Sequence, residues 1–176
     1  MLRKKIPYIP QMEAVECGAA SLAMVLAYHG HHAPLSELRT ACGVARDGSS
    51  AKDIVVAARQ YGLVAKGRRR EPEALATCSR PAILHWDMAH FVVLDRWTPR
   101  RAYLVDPGRG RRQVAAEDFN RSFTGICLEF SPGESFVGRA RERVSRAHYV
   151  RLLRAALVPI LLVLFVYRTA TTWPGL

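Results

Sequence analysis

Residues 11–28 read QMEAVECGAASLAMVLAY and place Cys17 at the start of an apolar helix. From Gly18 to Tyr28 almost every residue is apolar or small, and Ser21 is polar, so a helix here has no solvated face and is predicted to be central and buried. The unpaired N–H groups and the positive dipole end of its first turn favour a thiolate, the nucleophilic form of cysteine. Cys17 is therefore a candidate nucleophile, and the alternative from this stretch alone is a small core residue.

Length, charge and cysteine spacing limit the class of protein. The 176 residues suffice for one domain of ordinary size plus a tail. The net charge of +11 is concentrated at the end, because residues 136–176 hold seven Lys or Arg against one acidic residue. The four cysteines include no Cys-x-x-Cys pair, which is typical of neither a zinc site nor a disulfide framework. The N-terminus lacks the apolar core of a secretory signal, so the sequence predicts a reducing, cytosolic setting.

The periodicity of the chain changes near residue 62. Before it, helical spacing predicts three helices, namely the one from Cys17 to about Gly30, a second over 34–42 and a third from Ser50 to Gly62. After it, short branched and aromatic runs predict antiparallel strands at 63–66, 82–86, 91–97, 102–105 and 126–130, with helical patches at about 71–77 and 116–122. Helices followed by strands indicate an α+β fold.

A thiolate nucleophile needs a general base and a group that orients that base. His90 opens the most apolar strand, and a hairpin centred near residue 98 would pair residues whose numbers sum to about 196, which puts Asp106 opposite His90. Opposed residues have Cβ atoms ~4.5–5.5 Å apart, so the carboxylate could orient the imidazole. A slip of one residue would move Asp106 to the other face. The alternatives are a strand-end histidine and an Asp-Pro turn.

An oxyanion donor is the remaining requirement of acyl transfer. Gln11 lies six residues before Cys17, and its amide could act with the Cys17 backbone N–H. A solvated loop glutamine is the alternative reading of this residue.

Taken together, these motifs resemble a known family. The set Gln11-x5-Cys17-Gly18, His90-Phe-Val-Val-Leu and Asp106-Pro107 is similar to the C39 family of papain-like cysteine peptidases. That family forms the N-terminal cytosolic domain of ABC transporters that mature and export bacteriocins and related peptides. The similarity extends to residues 46–50, 81–86 and 122–125, and it covers about residues 6–136 in order.

The resemblance implies a papain-like fold, with an N-terminal helical half packed on an antiparallel sheet half, over residues 1–135. It implies Cys17 as nucleophile, His90 as general base and then acid, Asp106 as the residue that orients His90, and Gln11 in the oxyanion hole. The implied substrate is a precursor peptide whose leader ends in Gly-Gly, and neither a metal nor a cofactor is expected. Trp86 is a candidate wall of the cleft or, alternatively, a core aromatic. The alternative function is a catalytically silent module that only binds leader peptides.

The C-terminal quarter is expected to lie outside the peptidase domain. Residues 136–154 are predicted to be a basic juxtamembrane linker, and residues 155–176 an apolar segment that could begin a truncated transmembrane domain. The uncharged run 155–167 is shorter than the ~20 residues of a spanning helix, which leaves an interfacial helix or a surface helix as alternatives. Nucleic acid is not an expected partner, because the basic runs are not interleaved with aromatic residues.

The family also implies partners beyond this chain. Its complete members continue into a membrane domain and an ATPase domain, and the sequence contains no Gly-x-x-x-x-Gly-Lys-Ser/Thr phosphate-binding motif. We therefore expect either a fragment or a protein whose ABC transporter domains belong to another polypeptide. The expected location is the inner cell membrane, with the peptidase domain facing the cytoplasm.

Overall fold

The computed structural model describes residues 4–141 and seven helical positions between 155 and 168. Its helices in residues 4–141 are α1 Cys17–His29, α2 Leu35–Ala41, α3 Ala51–Gln60 and α4 Ala116–Ser122, with short 3₁₀ helices at Ala14–Glu16 and Pro72–Thr77. The strands are β1 Leu63–Arg69, β2 Ala82–Trp86, β3 His90–Thr98, β4 Arg101–Asp106, β5 Gly110–Ala115 and β6 Phe123–Pro132. All three predicted N-terminal helices and all five predicted strands are present.

The six strands form one antiparallel sheet in the order β1-β6-β2-β3-β4-β5. Alternate residues of its central strands pack into two separate apolar clusters. Phe91 and Val93 of β3 pack with α1, whereas Val92 and Leu94 pack with Phe119 of α4. Because both faces of β3 are covered, its apolar run is continuous rather than alternating. The predicted α+β class, with a helical half on an antiparallel sheet, is confirmed.

Helix α1 is the central helix that its composition predicts. Every residue from Cys17 to Ala27 is buried. Its one buried hydroxyl, on Ser21, donates to the Phe91 carbonyl oxygen at 3.3 Å and so ties the helix to β3. A Cβ at position 18 would lie 2.9 Å from Cδ1 of Ile54, so Gly18 lets α3 approach the first turn of α1. The sequence therefore holds Cys17 at a fixed place above the sheet.

Strand β5 was not predicted from the sequence. It is an edge strand of the sheet, and only Val114 among its six residues is buried. An edge strand with a solvated face and few apolar residues carries a weak periodic signal. The omission matters because β5 carries a residue of the candidate site.

The compact N-terminal unit includes residues that follow the predicted peptidase domain 1–135. The compact unit runs to Arg141. The N–H of His32 donates to the Arg139 carbonyl oxygen at 2.8 Å, the N–H of Arg139 donates to the Gly30 carbonyl oxygen at 3.1 Å, and Phe136 packs on the core. Residues at the start of the predicted basic linker, Phe136 and Arg139, therefore have fixed contacts with the rest of the unit.

Most of the predicted basic linker and apolar segment lies outside the described residues. This applies to residues 142–154 and to all but seven positions of 155–176. In the part of the chain that the structure describes, no helix has both the length and the apolar character needed to cross a membrane.

Gly62 gives a testable consequence of this packing. It has φ +79°, and a Cβ there would lie 2.6 Å from the carbonyl oxygen of Ser135. We expect Gly62→Ala to lower the free energy of unfolding by at least about 2 kcal/mol, through backbone strain and displacement of the 133–139 segment. The matched control is Gly43→Ala, at φ +56° with nothing within 4 Å, which has only the strain of about 1 kcal/mol. Urea unfolding measures both, and equal losses would contradict the proposed contact.

Candidate active site

The structure brings His90 and Asp106 together. His90 Nε2 lies 3.0 Å from Asp106 Oδ1, within hydrogen-bond distance. The Asp106 side chain is 1% exposed, whereas the His90 side chain is 26% exposed. A buried carboxylate thus holds one nitrogen of a ring whose other nitrogen remains available. This is the geometry in which a carboxylate orients a general base.

The register that creates this contact differs from the predicted one. Next to the turn, paired residues of β3 and β4 have numbers that sum to 199, and beyond an irregularity at Asp95 they sum to 198. The predicted sum of 196 was therefore wrong by two. Continued to its end, the observed register puts Asp106 across from Val92, one diagonal step from His90 and on the same face.

The irregularity at Asp95 is what makes the contact possible. Without its extra residue, the register next to the turn would place Asp106 across from Val93, on the opposite face from His90. A β-bulge shifts the pairing by one residue and so reverses the face. The predicted register was wrong by two residues, and side chains alternate between faces, so it still placed Asp106 on the same face as His90.

Four donors surround the Asp106 carboxylate. Oδ1 accepts from His90 and from the backbone N–H groups of Gly108 at 2.9 Å and Arg109 at 3.2 Å, while Oδ2 accepts from Arg112 Nη1 at 3.0 Å. Burial alone would raise the pKa of Asp106, but the bonds from His90 and Gly108 and the charges of His90 and Arg112 lower it. The carboxylate is therefore ionised at neutral pH and can stabilise a positive imidazole.

Arg112 is a site residue that the sequence reasoning missed. It lies in β5, the strand that the sequence did not predict. Besides its ion pair with Asp106, its guanidinium lies 5.7 Å from the ring centroid of Trp86. Its strand carries little signal in the sequence, because residues 111–113 are all polar and Val114 alone is buried.

His90 also interacts with Cys17. Burial acts to lower the pKa of His90, but hydrogen bonds to Asp106 and Cys17, together with their charges, outweigh it and raise the pKa to about 9. Since Nε2 forms the hydrogen bond with Asp106, Nδ1 is the ring nitrogen left to interact with Cys17. The arrangement therefore favours a protonated imidazole at neutral pH, next to the candidate nucleophile.

The other three cysteines are in environments that keep them as thiols. Burial is the main cause in each case: it raises the pKa of Cys42 to about 12, and it raises the pKa values of Cys78 and Cys127. No histidine contributes to any of these shifts. Proximity to a histidine thus distinguishes Cys17 from the other thiols of the chain.

Gln11 lies against the turn that follows Asp106. Its backbone N–H donates to the Pro107 carbonyl oxygen at 3.1 Å, and its Nε2 lies 3.4 Å from the Ala14 carbonyl oxygen. Its buried Oε1 has no hydrogen-bond partner among the described residues. A side-chain amide has two N–H donors, so one remains for an oxyanion. The role of Gln11 in an oxyanion hole stays a prediction.

Glu16 fixes the loop between Gln11 and Cys17 and was also missed. Its side chain is 1% exposed. It accepts from the backbone N–H groups of Met12 at 2.6 Å and Glu13 at 2.8 Å, and Arg39 Nη1 lies 3.1 Å away. The residue before the nucleophile thus closes the loop onto the helix start. An acidic residue at this position, three residues after Glu13, was the available sequence signal.

Trp86 pairs with His90 across β2 and β3, yet its side chain is directed into the core. It is 3% exposed and packs edge-on against Phe119, with ring centroids 5.3 Å apart. This matches the core-aromatic alternative. Contact between Trp86 and substrate stays a prediction.

One group of side chains has ligand atoms close enough for a metal ion. Among the described residues, the ligand atoms of Cys78, Cys127 and Glu129 lie within 4.8 Å of one another. However, Glu129 already pairs with Arg70 at 2.5 Å and with Arg68 at 3.6 Å. Two guanidinium groups at the carboxylate oppose a further cation, so we assign no metal to this group.

Comparison with known proteins identifies the family. The family model described as the Peptidase C39 family matches residues 5–135. The chain is 39% identical over 140 residues to the probable microcin-H47 secretion/processing ATP-binding protein MchF of Escherichia coli, covering 80% of this chain and 20% of that protein. It is 37% identical over 134 residues to the colicin V secretion/processing ATP-binding protein CvaB of Escherichia coli, covering 76% and 19%. The chain thus spans about a fifth of the length of these relatives.

Solved structures agree with this result. A double glycine motif protease from an AMS/PCAT transporter, crystallised with the leader peptide, is 55% identical with a TM-score of 0.71, covering 74% of this chain and 94% of that one. The peptidase domain of Streptococcus ComA, at 23% identity and a TM-score of 0.69, covers 73% and 99% and supports the fold. The chain belongs to the Peptidase C39 family.

Proposed function

We propose that this chain is a cysteine peptidase domain that removes double-glycine leaders from precursor peptides. The observation that carries the proposal is the continuous set of contacts from Cys17 through His90 to Asp106. The names of the relatives supply the substrate class, because two of them are secretion/processing proteins for microcin H47 and colicin V. The solved protease of 55% identity acts on a double glycine motif.

The proposed reaction proceeds through a thioester. The Cys17 thiolate attacks the carbonyl carbon of the second glycine, and the oxyanion is bound by the Cys17 backbone N–H and the Gln11 amide. The His90 imidazolium donates its proton to the leaving amine, which releases the mature peptide. His90 then takes a proton from water, which attacks the thioester and releases the leader. Throughout, Asp106 holds the ring and stabilises its positive form.

The proposed setting is the cytoplasmic face of the cell membrane, next to an ABC exporter. The relatives MchF and CvaB are ATP-binding secretion proteins, and this chain matches about a fifth of each. The exporter's membrane and ATPase domains are therefore the proposed partners. The C-terminal segment 142–176 is the proposed connection to them.

Cleavage of matched peptides tests the proposal. We expect the purified chain to cut a synthetic precursor once, after the second glycine, as read by mass spectrometry. An otherwise identical peptide with alanine in place of the second glycine should be cut on the order of 10²-fold more slowly, since a cleft fitted to glycine has no room for a Cβ. A chain that binds the leader without cutting it would instead be the silent binding module, and equal rates for both peptides would refute the specificity.

The pH dependence of the cleavage rate should also reveal the proposed thiolate–imidazolium pair. The active thiolate–imidazolium form requires the proton on His90, whose pKa is raised to about 9. We therefore expect kcat/KM to fall as the pH rises through about 9, rather than near the ordinary histidine value of about 6.5. In Asp106→Asn, the loss of the negative charge should move this alkaline limb to lower pH. An alkaline limb near pH 6.5 in the unmodified chain, or one that Asp106→Asn leaves in place, would contradict the assignment.

A further inference from the structure

Two cysteines outside the candidate site lie close together although they are 49 residues apart. Cys78 ends the 3₁₀ helix Pro72–Thr77 in the crossover from β1 to β2, and Cys127 lies in β6 near the middle of the sheet. Their sulfur atoms are 3.8 Å apart and share a hydrogen bond. A disulfide requires about 2.05 Å, so the sulfurs must approach by less than 2 Å. Cys78 lies in a loop segment, where a small adjustment disturbs no strand.

The two thiols differ in access. Cys127 is fully buried, whereas Cys78 is half-buried and lines a small cleft of about 90 Å³ together with Ser79, Arg80 and Leu94. A cleft of this volume admits a molecule of the size of hydrogen peroxide but excludes a tripeptide disulfide. Cys78 is therefore the thiol that a small oxidant reaches first, and Cys127 is the neighbour that remains shielded.

The groups around Cys78 have opposing effects on its ionisation. Its Sγ lies 3.4 Å from Oε1 of Glu129, which is in turn held by Arg70. Burial, the hydrogen bond to Glu129 and the charge of Glu129 raise the pKa of Cys78, whereas the hydrogen bond to Cys127 and the charge of Arg70 oppose that shift. The reaction of Cys78 with a small oxidant therefore rests on its access to the cleft and its distance from Cys127, not on a lowered pKa.

We propose that Cys78 and Cys127 form a reversible disulfide when a small hydroperoxide enters this cleft. The Cys78 sulfur attacks one oxygen of hydrogen peroxide, the O–O bond breaks, and hydroxide leaves and is protonated to water, which gives a sulfenic acid. The Cys127 sulfur then attacks the Cys78 sulfur, the S–O bond breaks, and a second water leaves with the Cys127 proton. Two thiols are oxidised by two electrons, and one peroxide is reduced to two waters.

The disulfide would attach the 70–81 crossover to the middle of the sheet. Cys127 packs in the apolar cluster of the α4 face, whereas Cys17 packs in the cluster of the α1 face. The bond is therefore separated from the nucleophile by the sheet. We expect it to raise the melting temperature by several degrees, because it closes a long loop in the unfolded chain. In a reducing cytosol it would form under peroxide and be reduced again afterwards.

The test uses the full chain with Cys17→Ala, so that peroxide does not consume the nucleophile. The folded protein is treated with hydrogen peroxide, the remaining thiols are alkylated, and the digest is analysed by mass spectrometry. We expect one cross-link, between Cys78 and Cys127, that dithiothreitol reverses and that raises the melting temperature. Adding Cys127→Ser should leave Cys78 as a sulfenic acid that dimedone traps, whereas adding Cys78→Ser should leave Cys127 a free thiol.

Three results would overturn the proposal. The first is alkylation of both cysteines after peroxide treatment of the folded chain. The second is a cross-link that forms only in urea, which would show that the native geometry does not permit it. The third is pairing of either residue with Cys42, which is fully buried and serves as the internal control.

Discussion

Replacing Cys17 by alanine is expected to lower kcat/KM for a double-glycine precursor by at least about 10³-fold, because removal of a nucleophile leaves only binding and oxyanion stabilisation. The structure gives the reason for so large an effect. In the proposed mechanism Cys17 attacks the substrate, and its interaction partner is His90, whose pKa is raised to about 9. Release of the leader, followed by mass spectrometry, measures the loss.

Cys42→Ala is the matched control for this variant. Both substitutions delete a buried thiol from the helical half, but the Cys42 thiol has a pKa raised to about 12 and no histidine partner. We expect Cys42→Ala to reduce stability slightly and to leave the cleavage rate within about twofold. The account would be wrong if Cys17→Ala stayed active while folded, as judged by its melting curve, or if Cys42→Ala lost as much activity.

Asp106→Ala is expected to have the largest effect on stability. The carboxylate is 1% exposed and accepts hydrogen bonds from His90, Arg112 and two backbone N–H groups. Its removal leaves a half-buried guanidinium without its counter-charge, which costs about 3–5 kcal/mol of unfolding free energy. The same change removes the group that orients His90, so activity should fall as well. Urea unfolding and the cleavage assay measure the two effects separately.

The control for this variant is Asp118→Ala, which breaks an exposed pair. Asp118 and Arg121 are 59% and 75% exposed, so the loss should stay below about 1 kcal/mol. Equal losses for the two variants would refute the special role of Asp106.

The contribution of Asp106 to stability should also depend on pH. Because folding lowers the pKa of Asp106, its stabilisation is complete above the unfolded pKa of about 3.9 and is lost as the pH falls through the folded pKa.

The sequence predicted the parts of this protein that follow from local pattern. Helix α1 was predictable because its apolar run has no polar face. The structure agrees, since all eleven residues from Cys17 to Ala27 are buried. His90 and Asp106 were predictable because each marks one end of a strand in a short hairpin. The face shared by the two was harder, since it depends on a bulge at Asp95 that no local pattern marks.

The remaining features depend on contacts between distant segments. Arg112 reaches Asp106 only because β5 adds to the edge of the sheet, and its polar sequence gave little indication of a strand. Cys78 and Cys127 showed no recognised spacing, yet the fold brings their sulfurs within 3.8 Å. The contacts of Phe136 and Arg139 likewise require the finished helical half, so composition alone predicted a linker there. Tertiary packing, rather than local preference, determines all of these.

Covalent labelling tests the central claim most directly. A leader peptide whose second glycine ends in a chloromethyl ketone places its ketone carbonyl where the scissile carbonyl would lie, with the alkylating methylene carbon directly beside it. The account predicts a single adduct, on Cys17, whose formation is prevented by excess leader peptide and slowed at least about tenfold in His90→Ala. An adduct on Cys42, Cys78 or Cys127 instead, or labelling of Cys17 that neither excess leader nor His90→Ala affects, would contradict it.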